Sequence, residues 1–214
     1  WYQMLDHQLC TEMKFTRCLK DRCVYFLNNG RDAIWIAVYV DDLLMFASNS
    51  LILDQTKALL QQKFTMTDLG EIETYLGMEF ARNGDTMTIK QTKYIDDILA
   101  TFHMTDAKPA PMPLSPGICL DKGSTDIDPS IPYRELLGKL IYLMTHTRPD
   151  IATAVSMLGS FASCYTVEHW NAAKHLLRYV KGTKDLGLTY RSGQHLRLTT
   201  YTDASFAQET GRKS

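Results

Sequence analysis

Two apolar runs separated by a pair of carboxylates constrain this chain more than any other segment. Residues 34–40 read Ile-Trp-Ile-Ala-Val-Tyr-Val, residues 43–47 read Leu-Leu-Met-Phe-Ala, and Asp41-Asp42 stand between them. Both runs are strand-sized and apolar, and the first is rich in β-branched and aromatic residues, so we expect two buried strands joined by a tight turn. Neighbouring carboxylates repel each other, more so in apolar surroundings, and a hard divalent cation such as Mg²⁺ would relieve the repulsion. Because Asp is a common turn residue, a plain turn is the alternative.

The composition is that of a globular protein. The 214 residues are 45% hydrophobic and 22% charged, which excludes a wholly disordered or fibrous chain. No apolar run reaches the length of a membrane span, and the start lacks a signal-peptide pattern, so we expect no membrane association and no secretion. The five scattered cysteines form no C-x-x-C pair, which favours a reducing, intracellular compartment over a disulfide framework. Because the first residue is Trp1 rather than Met, we expect a piece of a longer chain.

A stretch rich in structure-breaking residues divides the chain into a leading block, a connector and a trailing block. All seven prolines fall between Pro109 and Pro149, and residues 105–131 are also rich in Ser, Gly and Asp, which predicts an extended linker. Residues 1–132 carry a net charge of −6, whereas residues 133–191 carry a net +4. A basic trailing block indicates a polyanionic partner, and merely uneven surface charge is the alternative.

The spacing of apolar residues and the positions of turn residues predict both helices and β-hairpins. In the leading block we expect hairpins at 23–40, around Asn28-Asn29-Gly30, and at 75–89, around Asn83-Gly84, with helices over 1–13, 51–64 and 94–102. Ser50 is the expected cap of the second helix. In the trailing block we expect helices over 132–144, 151–162 and 168–180, then strands near 186–190 and 196–201.

Ordered matches to one protein family run through nearly the whole chain. Tyr39-Val40-Asp41-Asp42, between its two strands, resembles the Y-x-D-D box of reverse transcriptases. The remaining matches narrow the resemblance to the copia-type retrotransposon polyproteins. They are Trp1-Tyr2, Asp68-Leu69-Gly70-Glu71, Tyr75-Leu76-Gly77-Met78-Glu79, Gln91-Thr92-Lys93-Tyr94-Ile95, Tyr133-Arg134 with Leu137-Gly138 and Leu140-Ile141-Tyr142-Leu143, Thr147-Arg148-Pro149-Asp150-Ile151-Ala152, His169-Trp170, and Leu177-Arg178-Tyr179-Val180-Lys181-Gly182-Thr183.

The resemblance implies an α+β fold with a partial polymerase palm, built of antiparallel hairpins with helices. A thumb-like helical region and the first strands of a ribonuclease H-like domain would follow. The implied ranges are 1–104 for the later part of the palm and the start of the thumb, 105–131 for the Pro-rich linker, 132–185 for the helical thumb or connection region, and 186–214 for the truncated start of the ribonuclease H-like domain.

The implied activity is RNA-directed DNA polymerisation by two-metal nucleotidyl transfer. Asp41 would coordinate metal directly, Asp42 would be auxiliary and partly metal-facing, and Tyr39 would lie beneath the primer end. The implied cofactor is Mg²⁺, with Mn²⁺ as an alternative. Partners would be an RNA template, a DNA primer, deoxynucleoside triphosphates and the rest of the Pol polyprotein, in a cytoplasmic particle or the nucleus. The oligomeric state is open.

The resemblance also assigns nucleic-acid contacts. Leu76-Gly77 would lie in the hairpin that holds the primer strand, where glycine lets a nucleic-acid backbone come close; a bulge in an ordinary hairpin is the alternative. Lys174, Arg178 and Lys181 recur at i, i+4 and i+7 on one helix, a stripe that can track phosphates or form a solvated face.

A second acidic position follows Tyr201. Tyr201-Thr202-Asp203-Ala204-Ser205 resembles the opening Y-x-D-A/G-S motif of a ribonuclease H domain, in which Asp203 would bind metal. A plain turn residue is the alternative. The other carboxylates of that site would lie beyond Ser214.

The chain departs from the family in one respect that bears on activity. The third metal-binding Asp and the fingers lie upstream of the stretch that matches Trp1-Tyr2, and neither is in this sequence. We therefore expect this piece alone to be inactive. The alternative function is a degenerate transposon remnant, without catalysis and with at most nucleic-acid or partner binding.

Overall fold

The computed structural model describes residues 1–121, 128–193, 199, 200 and 202. The chain forms two compact units, Trp1–Gly70 and Glu71–Ser214. Both contain helices and an antiparallel sheet, so the α+β class is confirmed. In the part of the chain that the structure describes, no helix has the length and apolar character needed to cross a membrane.

The first unit is a four-stranded antiparallel sheet with helices on one face. Its strands follow the order β1-β2-β3-β4, so both hairpins predicted around residues 23–47 are observed. Asn49, rather than Ser50, caps α2, since its side chain accepts a 3.1 Å hydrogen bond from the Ile52 amide. The elements are α1 (Tyr2–His7), continued by a π-helical turn (Gln8–Glu12), β1 (Thr16–Arg17), β2 (Val24–Asn28), β3 (Ala33–Tyr39), β4 (Asp42–Ala47) and α2 (Ser50–Gln61).

The core of this unit lies on one face of the sheet. Alternate side chains of β3, namely Ile34, Ile36 and Val38, are buried on that face. A period-2 pattern places such residues together on the same side of a strand. Side chains from both helical segments and the neighbouring strand complete the core: Leu5, Leu9, Phe15, Tyr25 and Leu60.

A polar cluster ties α1 to the sheet. The hydroxyl of buried Tyr25 and the guanidinium of Arg17 each donate a 2.8 Å hydrogen bond to Oδ1 of Asp6. The Tyr25 bond, followed by the bond and charge of Arg17, lowers the pKa of the Asp6 carboxyl despite its partial desolvation. Burial, in turn, raises the pKa of the Tyr25 phenol. The helix that begins the chain is therefore anchored to β1 and β2.

The second unit combines a sheet with a helical core. Its strands follow the order β5-β6-β7-β8, and the core residues lie mainly on the last four helices. The elements are β5 (Thr74–Tyr75), β6 (Met78–Asn83), β7 (Thr86–Lys90), α3 (Thr92–Thr101), α4 (Tyr133–His146), a 3₁₀ turn (Pro149–Ile151), α5 (Ala152–Gly159), α6 (Val167–Gly182) and β8 (Leu188–Arg191).

The strands of this sheet differ from the sequence-based expectation in two places. The single strand expected from residue 75 is divided by a turn at Leu76-Gly77 into β5 and β6. β8, which the sequence placed in the ribonuclease H-like region, pairs antiparallel with β7. Gly187 permits this pairing, because a Cβ there would lie 2.3 Å from the Ile89 carbonyl oxygen. The strand expected at 196–201 falls mainly outside the described residues.

The connector packs on the second unit. Residues 105–121 and 128–131 contain no regular element, yet Ala110 is buried and other apolar connector side chains pack against the helical core. The division between units falls after Gly70 rather than in the connector, since β5–β7 share a sheet with β8. The predicted ranges of palm, thumb and ribonuclease H-like domain stay a prediction.

A buried arginine gives the Thr-Arg-Pro-Asp segment a structural role. Arg148 is 1% exposed and donates two hydrogen bonds of 2.8 and 2.7 Å to the Asp150 carboxylate, plus two to Thr183 at the end of α6. Burial alone would raise the pKa of the Asp150 carboxyl, but the hydrogen bonds and charge of Arg148, with the Tyr179 hydroxyl, lower it overall. This segment therefore fastens the end of α6 to the start of the 3₁₀ turn.

Candidate active site

The two neighbouring carboxylates lie at the tip of the β3–β4 hairpin. The turn itself is Val40-Asp41, and Tyr39 pairs with Asp42 across the strands. Residues that pair directly across an antiparallel ladder place their side chains on the same face, so Tyr39 and Asp42 share one face. Both acids are exposed, as is Tyr39 at 54%. The tight turn predicted at this point is confirmed, although it begins one residue earlier.

The turn carries backbone strain. Val40 has a φ of +53°, in the left-handed region that β-branched residues rarely adopt. The indole N–H of Trp1 donates a 2.9 Å hydrogen bond to the Val40 carbonyl, and the Trp1 ring packs edge-on against Phe64, with centroids 5.1 Å apart. Strained residues persist where the surrounding structure holds them and often mark functional turns.

The acids stand at the end of an uncovered apolar sheet face. Trp35 and Phe46 pair across β3 and β4 on the same face as Tyr39 and Asp42, and they are 43% and 50% exposed. The expectation that both runs are buried is therefore correct for only one face of the sheet. The structure places α1 and α2 against the other face, so alternate side chains of the two runs meet solvent.

The donor set fits part of a metal site. Carboxylate oxygens suit Mg²⁺, and within residues 1–121 and 128–193 neither Asp41 nor Asp42 has a side-chain partner that would occupy its oxygens. Among the described residues no group of three His, Cys, Asp or Glu side chains is placed to hold a metal ion. Two acids supply too few ligands for a closed site, so further ligands would have to come from substrate or from other chain segments.

The expected primer-contacting residues Leu76 and Gly77 form the turn between β5 and β6. The register, with Thr74 opposite Glu79 and Tyr75 opposite Met78, leaves a two-residue loop rather than a bulge. Leu76 has a φ of +49° and Gly77 a φ of +71°. Positive φ at both loop residues is the pattern of a tight hairpin turn whose twist matches the strands. Gly77 is exposed.

Sequence reasoning missed one contact at this turn. The hydroxyl of Tyr142, on α4, donates a 2.5 Å hydrogen bond to the Leu76 carbonyl. The Tyr142 ring is half-buried and contacts the rings of Tyr94 and His146, at centroid distances of 5.1 and 4.1 Å. The sequence showed Tyr142 only as part of the Leu-Ile-Tyr-Leu match, because its partner lies far away in the chain.

Two of the three predicted basic residues of α6 have partners in the connector. Arg178 Nε donates a 2.6 Å hydrogen bond to the Lys108 carbonyl, and Lys181 Nζ donates to the carbonyls of Thr105 and Ala107. Lys174 Nζ lies 5.5 Å from the centre of the Trp170 ring. All three basic side chains are half-buried. Their predicted contact with phosphates stays a prediction, and Asp203 lies outside the described residues.

Comparisons with known proteins identify the family. The family model described as reverse transcriptase (RNA-dependent DNA polymerase) matches residues 1–116. The chain is 36% identical over 212 residues to the retrovirus-related Pol polyprotein from transposon RE2 of Arabidopsis thaliana, and 37% identical over 209 residues to that from transposon RE1 of the same plant. These alignments cover 98% and 97% of this chain but 14% of each polyprotein.

The alignment with a shorter relative covers most of that relative's length. The chain is 33% identical over 176 residues to an uncharacterized mitochondrial protein of Arabidopsis thaliana, and this alignment covers 81% of the chain and 72% of that protein. No solved structure shows a significant match.

Proposed function

Since the chain belongs to the reverse transcriptase family, as a segment similar to the Pol polyproteins of copia-type retrotransposons, we propose that it carries catalytic carboxylates of an RNA-directed DNA polymerase. The observation that carries the proposal is the pair Asp41-Asp42, exposed and unpartnered among described residues at a strained hairpin tip. Such a pair is available to ligands that arrive from solvent.

Asp41 and Asp42 would hold the divalent metal, for which Mg²⁺ is the proposed ion. When bound, the metal would activate the primer 3′-hydroxyl and stabilise charge on the transferring phosphate. Asp41 is proposed as the direct ligand and Asp42 as the auxiliary one. The exposure of both carboxylates supports metal binding, because neither is committed to a structural ion pair within the described residues.

Tyr39 is proposed to lie beneath the primer end. It shares a sheet face with Asp42 and is more than half exposed, so its ring is accessible on the side where the acid is. Aromatic rings at such positions stack against nucleobases or sugars without selecting a sequence.

Leu76 and Gly77 are proposed to contact the primer strand. The absence of a side chain at exposed Gly77 lets a phosphate backbone approach the turn closely. Lys174, Arg178 and Lys181 are proposed to add phosphate contacts through their remaining N–H groups. Asp203 is proposed as a metal ligand of a ribonuclease H-like domain that continues beyond this sequence.

The larger assignments are proposals of the same kind. They comprise a palm, a thumb-like helical region and a ribonuclease H-like start, an RNA template with a DNA primer and deoxynucleoside triphosphates, the other Pol domains as partners, and a location in a cytoplasmic particle or the nucleus. The chain spans 14% of the length of the RE1 and RE2 polyproteins, so these properties belong to a longer protein.

Primer extension on the longer protein tests the proposal. The chain would be expressed with the upstream coding sequence and assayed with Mg²⁺ on a primed RNA template. We expect incorporation by the unaltered protein and none by Asp41→Ala. Asp32→Ala, at the other end of β3, is the matched control and should retain activity. Normal extension by Asp41→Ala would show that the catalytic assignment is wrong.

A catalytically inactive remnant is the second candidate. The observation in its favour is the mitochondrial relative, a short protein of which this chain covers 72%. The flanking coding sequence separates the two candidates. An intact upstream Asp-containing strand and downstream carboxylates favour the polymerase, whereas stop codons on both sides favour the remnant.

A further inference from the structure

Tyr142 and Leu76 are joined by a single hydrogen bond between two elements that are distant in the sequence. The Tyr142 hydroxyl on α4 donates to the carbonyl of Leu76 in the β5–β6 turn. From this bond we infer that Tyr142 is a positioning residue for the primer strand: it holds the Leu76-Gly77 turn in the shape that meets the nucleic-acid backbone. The inference rests on the proposed contact of this turn with the primer.

The turn needs external support. Leu76 adopts a φ of +49°, which is sterically unfavourable for a residue with a Cβ, whereas glycine adopts this conformation without steric strain. A bond to the Leu76 carbonyl fixes the orientation of the peptide between the two loop residues. The same hydroxyl lies 3.4 Å from where a Gly77 Cβ would be, an ordinary van der Waals distance, so it lies close to both loop residues.

Tyr142 itself is well held. Its ring makes an edge-to-face contact with Tyr94 and packs against His146, whose Nδ1 lies 2.8 Å from the Tyr142 carbonyl. The core of the unit uses another face of α4, formed by Tyr133, Leu136, Leu137, Leu140 and Leu143. A half-buried tyrosine off the core face, with its hydroxyl directed to a strained turn, is placed to support that turn rather than the core.

The helix provides a matched control for the same chemistry. Tyr133 also donates its hydroxyl to a backbone carbonyl, that of Leu158, at 2.7 Å, but this bond lies inside the helical core. Tyr133→Phe and Tyr142→Phe each remove one hydroxyl and one bond of the same type. Only Tyr142→Phe removes support from the β5–β6 turn.

Equilibrium binding on the full-length Pol chain tests the inference without requiring catalysis. A fluorescent DNA primer annealed to an RNA template would be titrated with unaltered protein and with each variant, without nucleotide. We expect Tyr142→Phe to weaken duplex binding about fivefold, and Tyr133→Phe to change it by less than about twofold. The KM for deoxynucleoside triphosphate should stay within about twofold for Tyr142→Phe. Deuterium uptake by a peptide spanning 74–80 should rise in Tyr142→Phe alone.

A second pair of variants tests the positioning role directly. Leu76→Gly removes the cost of the left-handed conformation, so a turn with glycine depends less on the external bond. Adding Tyr142→Phe to Leu76→Gly should therefore weaken duplex binding by less than about twofold. The full fivefold loss in the double variant would contradict positioning through the turn.

Each result bears on the inference. Unchanged duplex binding by Tyr142→Phe, an equal loss in Tyr133→Phe, or no duplex binding by the unaltered protein would overturn it. Duplex binding that depends on Tyr142 in a protein that incorporates no nucleotide would support the inference and contradict the polymerase proposal. A protein that incorporates nucleotides, and whose duplex binding is unchanged by Tyr142→Phe, would support the polymerase proposal and contradict the inference.

Discussion

The indole of Trp1 and the carbonyl of Val40 are joined by a 2.9 Å hydrogen bond, which links the start of the chain to the turn directly before Asp41. Val40 is held there at a φ of +53°. The bond supplies an external partner to a turn whose conformation is unfavourable for valine. The Trp-Tyr match at the start of the sequence therefore has a structural role next to the carboxylate pair.

Trp1→Phe tests that role. Phenylalanine keeps a ring beside Phe64 but has no N–H for the Val40 carbonyl, so we expect the free energy of unfolding to fall by about 1 kcal/mol and the turn amides to exchange faster. Trp35→Phe is the control, because the Trp35 indole has no hydrogen bond within the described part of the chain. Hydrogen exchange and urea unfolding measure both variants. Equal exchange at residues 39–42 in the two variants would show that the indole bond does not support the turn.

Gly182→Ala tests the contact of α6 with the connector. An added Cβ would lie 2.9 Å from the Pro109 Cβ, closer than van der Waals contact allows, so the connector would have to move. We expect a loss of about 1–3 kcal/mol in the free energy of unfolding. Gly138→Ala, within α4 with no atom within 4 Å of the new Cβ, should instead stabilise the protein by about 1 kcal/mol. A destabilised Gly138→Ala with an unaffected Gly182→Ala would refute this account of the glycines.

Asp150→Asn tests the buried arginine. Removing the carboxylate charge leaves Arg148, which is 1% exposed, without its ionic partner, although its bonds to Thr183 remain. The Asp150 side chain is 35% exposed, so solvent screens part of the pair, and we expect a loss of about 2 kcal/mol, less than for a fully buried pair. The control is Asp96→Asn, which breaks the exposed pair with Lys184 and should cost less than about 1 kcal/mol. Urea unfolding measures the loss of unfolding free energy in each variant. Equal losses in the two variants would show that the burial of Arg148 does not make its ion pair more important.

The same carboxylate predicts a pH dependence. The native pKa of Asp150 lies below its ordinary value of 3.8, so the folded state favours the charged form. Its stabilising contribution is fully present above the ordinary pKa and is lost as the pH falls through the lower native pKa. We expect the free energy of unfolding to fall as the pH is lowered below about 4, and to fall less steeply in Asp150→Asn. Parallel pH profiles for the two proteins would exclude this contribution.

Local sequence signals predicted much of the fold. Asn28-Asn29-Gly30 and the carboxylate pair correctly located two turns of the first sheet, since turn residues between β-rich runs act over a few positions. Helical spacing likewise located α2 to α6 to within a few residues. These features depend on neighbours in the chain, which a single sequence displays.

Features that depend on distant partners could not be predicted in this way. The alternating side-chain pattern from residue 75 onward predicted a continuous strand and not the turn at Leu76-Gly77. The hydrogen bond from Tyr142 to that turn comes from a distant part of the chain. Arg178 and Lys181 formed a basic stripe by spacing, but their bonds to connector carbonyls depend on how the chain returns to α6. At the candidate site, the sequence identified the two neighbouring carboxylates. It could not predict that they are exposed, because their exposure depends on which face of the sheet the helices cover.

Metal-directed cleavage tests the central claim, that Asp41 and Asp42 bind the catalytic metal. Fe²⁺ would replace Mg²⁺ in the full-length Pol chain with primed template, and ascorbate with peroxide would then cleave the backbone near the bound ion. We predict cleavage at residues 39–43 that excess Mg²⁺ suppresses and that Asp41→Asn abolishes, while Asp32→Asn leaves it unchanged. A protein that extends primers but shows no Mg²⁺-sensitive cleavage at this hairpin would contradict the account.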